Sequence, residues 1–143
     1  MRLVSITANR HIFDGKVNGS PLRLLLAFDN GRQLRLRGAA DGEGMILEDR
    51  PLDEPCDLEE YGRTDIADVT RSLFPTLGGM EVAAIRALAF HGKRVGVRLD
   101  AADGDAFHFW VAGDELYWGD ESALLAEDWL DGIVPVPSEA VQL

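Results

Sequence analysis

The feature that most constrains this chain is an internal echo. Residues 95–118 read Val95-Gly-Val-Arg-Leu99, a turn at Asp103-Gly104, Ala106-Phe-His-Phe-Trp-Val111, a turn at Gly113-Asp114, and then Leu116-Tyr-Trp118. Short alternating runs broken by Gly-containing pairs are the pattern of an antiparallel meander. Seventy-three positions earlier, Leu22, Leu24 and Leu26 fall on Val95, Val97 and Leu99, and Asn30-Gly31 falls on Asp103-Gly104. Leu34 and Leu36 then fall on Phe107 and Phe109. A loop two residues longer changes the offset to 71, and Met45-Ile-Leu47 falls on Leu116-Tyr-Trp118.

Two copies of a unit of about four strands predict an all-β, mainly antiparallel fold with one or two short helices. The alternatives are a sandwich and a partly open barrel, either one pseudo-twofold, with one face of each copy buried against the other. The expected organisation is a single domain over 1–143. Its repeats cover 2–50 and 81–121, with a linker at 51–80 and a C-terminal segment at 122–143.

Within the first copy, Leu3 to Ala8 reads as a strand with Val4 and Ile6 inward, followed by a polar excursion from Asn9 to Ser20. Leu22, Leu24, Leu26 and Phe28 share one face, the Asn30-Gly31 pair suits a type I′ turn, and Leu34 and Leu36 return inward. Arg35 and Arg37 then point outward. Gly38 to Gly44 is glycine-rich but has no P-loop lysine, and its Asp41 and Glu43 would repel phosphate. Pro51 and Pro55 make residues 49–63 an extended acidic connection. Asp65 is placed to cap a short helix carrying Ile66, Val69, Leu73 and Phe74 on one side, ended by Pro75 and Gly78-Gly79. Glu81 to Phe90 has helical propensity in its alanines, yet its place before the His91-Gly92 turn favours a strand. Ser122 to Leu130 reads as a short helix, and Gly132, Pro135 and Pro137 mark an irregular tail.

Charge narrows the function classes. A formal net charge of -11 argues against binding nucleic acid through its phosphates and permits attraction to a basic protein. The acids are uneven: residues 1–40 hold seven of the fourteen Lys and Arg but only Asp14 and Asp29, whereas residues 100–131 hold ten acids and no Lys or Arg. Two causes fit, namely acidic connections lying over arginine-bearing sheet faces, or an acidic docking surface. No apolar run reaches the roughly 20 residues of a membrane span, so no membrane partner is expected. A strand-like start and a lone Cys56 suit a cytoplasmic protein.

Motifs for chemistry are sparse. His11, His91 and His108 have no ligand-like spacing, so no metal and no cofactor is expected. Asp100, Asp103 and Asp105 lack the spacing of a calcium loop and are accounted for by turn chemistry. Asp114 and Glu115 would need a cleft and a raised pKa to serve as an acid/base pair. Cys56 lies among acids that oppose thiolate formation, and no nucleophile motif is present, so no catalytic residue is assigned.

The aromatics are more informative. Phe107, Phe109 and Trp118 match core positions of the first copy, while Trp110 and Tyr117 fall on the opposite face. If uncovered, that pair beside Asp114, Glu115 and Asp120, with Glu59 and Glu60 elsewhere on the acidic surface, would form a protein-binding hot spot. The alternative is that Trp129 and the C-terminal segment cover it. The leading expectation is a non-enzymatic acidic module for a basic protein partner, such as an immunity-type inhibitor of a bacterial toxin. A small-ligand carrier or enzyme with an apolar cavity between the repeats, and a homodimeric or larger structural module joined at strand edges, are the alternatives.

Overall fold

A computed structural model describes residues 1–142. The chain is mostly antiparallel β-structure in two sheets, neither closed into a barrel, with two short helices. It divides into two compact units, one of residues 1–37 and 47–80, the other of residues 38–46 and 81–142. The expected all-β class is the class observed.

In the first sheet, β1 (Leu3–Phe13), β3 (Arg23–Phe28), β4 (Gln33–Gly38) and β5 (Met45–Glu48) form a meander. The two-residue β2 (Lys16–Val17) pairs with the end of β1, and β6 (Arg63–Asp68) pairs with β1 on the side away from β2 and β3. Leu24, Leu26, Phe28, Leu34 and Leu36 are buried, as the alternation required. Leu22 is not: it precedes β3 and is 42% exposed. Val4 is exposed as well, because the register between β1 and β3 slips between Leu3 and Ser5 and leaves it opposite no partner. The first part of the excursion, Asn9 to Phe13, is a continuation of β1 with Ile12 buried, and Lys16–Val17 then turn back against it.

The linker departs most from expectation. Asp65 caps nothing; it lies in β6, where it pairs with Arg10. The helix, α1, is only Thr70–Leu73, too short to carry a four-residue stripe, so Val69, Phe74 and Leu77 are buried while Ile66 and Leu73 are exposed. Thr70 fastens this segment to β1, its hydroxyl accepting from the Ile6 amide at 2.9 Å.

In the second unit, β7 (Val82–Phe90), β8 (Lys93–Ala101), β9 (Ala106–Ala112) and β10 (Glu115–Gly119) repeat the meander. Glu81 to Phe90 is therefore strand, because pairing along β8 outweighs alanine's helical propensity. Helix α2 (Glu121–Leu125) follows. The tail is not irregular: β11 (Val136–Ala140) adds to the outer side of β7, with Pro137 tolerated at the sheet edge. Each unit thus has the same plan, a four-stranded meander whose first strand receives a returning fifth strand, β6 or β11.

Candidate functional site

The group built around β9 and β10 of the second unit carries most of the residues singled out from sequence. Phe109 and Leu116 turn inward and are buried, which sends Trp110 and Tyr117 to the other face, where they are cross-strand partners. Their rings stack at 6.3 Å with 23° between planes. Trp110 is only 2% exposed, so it is a floor and not a contact residue. Gly119 makes this possible, since a Cβ there would come within 2.5 Å of Ala123 in α2, and the bare backbone lets the helix settle beside Trp110. The covered alternative is therefore the observed one for Trp110, with α2 rather than Trp129 beside it.

Tyr117 is 39% exposed, and its hydroxyl donates to Glu115 at 3.0 Å. The carboxylates of Glu115 and then Glu127 hold its ionisation above the ordinary phenol range, so it stays a neutral donor. Asp120 is spent on structure, its carboxylate accepting from the Ala123 amide at 2.9 Å as the cap of α2. Asp114 occupies a left-handed position in the β9–β10 turn, and its amide donates to the Gly42 carbonyl at 3.1 Å. Its carboxylate lies so close to Gly42 that a side chain at 42 would collide with it. Glu59 and Glu60 belong to the first unit, exposed on a 3-10 turn, and are not part of this group.

The histidines are accounted for structurally. His11 lies 2.6 Å from the Tyr61 carbonyl and 3.0 Å from the Asn18 amide group. His91 occupies the β7–β8 turn in a left-handed conformation. His108 is buried, and loss of hydration holds its pKa below 6.5 despite a hydrogen bond to the Gly119 backbone. Its Nδ1 and the Nε1 of Trp110 are buried without hydrogen-bond partners. Among the described residues, no group of three or more His, Cys, Asp or Glu is placed to hold a metal ion. No helix among them is long and apolar enough to cross a membrane.

Two clefts were not legible in the sequence. One, of about 470 Å3 in the first unit, is lined by Ile12, Asp14, Cys56, Asp57 and Arg63 among others. Its exposed Cys56 thiol donates to the neighbouring Asp57 carbonyl at 3.6 Å, and its lining residues include no histidine. The other, of about 660 Å3, is at the turn end of the second unit and draws on Glu43, Phe90, Lys93, Val95, Val111, Asp128 and Trp129. These come from four separate stretches, so no local spacing announces them.

No protein-family model, curated protein or solved structure matches the chain.

Proposed function

We propose that the chain is a non-enzymatic, acidic protein-binding module that takes a basic protein partner, with an immunity-type inhibitor of a basic toxin as one concrete form. The observation that supports this is the fate of its cations. Arg10, Arg23, Arg35, Arg37, Arg63, Lys93, Arg94 and Arg98 are engaged by acids of the same chain. Asp114, Glu115, Glu121, Asp128 and Asp131 are meanwhile exposed, in a stretch that contains no Lys or Arg. Exposed Tyr117, Leu125 and Leu130 lie within that same stretch. Exposed apolar side chains interspersed along one stretch with exposed carboxylates suit a surface that steers and then seats a cationic protein.

Affinity capture from native lysate, at low and at physiological salt, tests the reading. A basic partner held at low salt, weakened at higher salt and lost by a Glu115→Lys/Glu121→Lys bait is the expected result. Capture that ignores both salt and charge reversal counts against it. The second reading, a small-ligand or enzymatic β-domain, draws on one observation, that the 660 Å3 cleft has the size of a ligand pocket.

A further inference from the structure

The cleft of the second unit combines three things that together select a ligand class. The first is an aromatic wall. Phe90 and Trp129 meet with ring centroids 5.4 Å apart and planes at 46°. The Trp129 indole N–H donates to the Leu124 carbonyl at 2.8 Å, which fixes the ring at the border of the cleft and engages its donor. The second is unspent negative charge. Lys93 is the one Lys or Arg of the lining and is already held by Asp41 at 2.8 Å and Glu43 at 3.2 Å, while the His91 ring, which also borders the cleft, packs edge-on against Phe90 at 4.5 Å. Among the described residues, no hydrogen bond or ion pair holds the exposed Asp128 carboxylate. The third is a dry floor, where Val95 and Val111 are buried beneath the opening.

An anion is repelled by this arrangement, and a small hydrated metal ion gains nothing from aromatic faces. A planar, weakly hydrated cation on an apolar stem satisfies all three parts: the stem on the valines, the plane against the rings, the charge toward Asp128. We infer that this cleft is the anchor pocket for an arginine side chain of the basic partner. The inference deepens the binding-module reading and rests on it for the identity of the partner. Arginine is preferred to lysine because the guanidinium stacks on an indole and gives up its water more readily than an ammonium does.

The test follows the Trp129 indole resonance by NMR while a blocked Gly-Arg-Gly peptide is added to the full chain. The same titration uses a peptide with citrulline in place of arginine, which keeps shape and removes charge. A saturable shift with the arginine peptide is expected, about fivefold weaker with citrulline. Asp128→Asn, a change at an exposed position, weakens it about threefold. An indole that does not move, or that responds equally to both peptides, overturns the inference. Affinity capture separates the two levels. A salt-sensitive basic partner retained equally by wild type and Asp128→Asn, with an unresponsive indole, overturns the pocket and leaves the module. Peptide binding as expected with no basic protein retained supports a guanidinium site and removes the module.

Discussion

The two units share a strand plan and an inner-face pattern, yet their outer faces are covered by opposite chemistries. In the first unit the outer face carries Arg23, Arg35 and Arg37, with Glu48 at the end of β5 beside them and a strap of residues 49–53 over them. Arg35, 4% exposed, is bound by Glu48, by the Pro51 carbonyl at 3.0 Å and by Asp53 at 3.2 Å. Asn9 fastens the same strap through its side-chain amide, whose NH2 donates to the Asp53 carbonyl at 2.9 Å and whose oxygen accepts from the Asp53 N–H at 3.1 Å. In the second unit the 73-residue offset puts Gly96, His108 and Trp110 where the first has Arg23, Arg35 and Arg37, and the 71-residue offset puts Gly119 in place of Glu48. An ionic lid in one copy is an aromatic lid under α2 in the other. The outer face of a β-unit is thus free to diverge so long as whatever covers it is complementary. In the first unit, Glu48 and Asp53 are bound to the arginines of that face.

The comparison breaks hardest at Trp110. Trp110→Ala should remove about 4 kcal/mol of stability by opening a cavity beside α2, measured by urea unfolding. A loss near zero would show that the aromatic lid is not a core. In the first unit, Glu48→Gln leaves the buried Arg35 charge with weaker partners and should cost about 2 kcal/mol in the same titration. The double variant Arg35→Met/Glu48→Leu should return to within ~1 kcal/mol of wild type, because an apolar pair serves where an unpaired charge does not. A double variant as poor as the single one would mean that the strap depends on the ions for its position.

Acid should separate the lids by pH. His108 is held below 6.5 by burial, so both folded and unfolded states are neutral there above that value. As pH falls below 6.5 the unfolded chain takes up a proton first, and stability declines until the folded histidine also titrates. His108→Gln should flatten that decline in urea midpoints. Arginine partners hold Glu48 and Asp65 below 4.5 and 3.8, so the stability they add is complete above those values. It is lost only as pH drops through their lower folded values. The aromatic lid therefore weakens at milder acid than the ionic one. The smallest effect is at the cap: Asp120→Ala should cost about 1 kcal/mol, and Asp120→Asn a few tenths, with α2 fraying reported by hydrogen exchange.

What could be read in advance was what repeats locally. Alternation placed Leu24, Leu26, Leu34 and Leu36 inside, and the Gly-containing pairs placed the hairpins. The β6 strand was missed because Arg63 to Asp68 lacks alternation strong enough to outweigh an apparent cap at Asp65; its pairing with β1 settles it. The tail strand was hidden by Pro137, which an edge position accepts. Of the residues chosen as a binding group, Tyr117 and Glu115 lie side by side at the surface, whereas Trp110 and Asp120 are consumed by packing and capping.

The sequence by itself determined the two alternating meanders, most of their inward positions and the excess of acid, because side-chain alternation, turn chemistry and charge count are local or additive. Only the tertiary structure decided what each outer face meets, which carboxylates are spent on arginines, and that Phe90, Trp129 and Asp128 border one cleft. Those outcomes depend on contacts between residues far apart in the chain, and no spacing along it records which segment will come to lie over which strand.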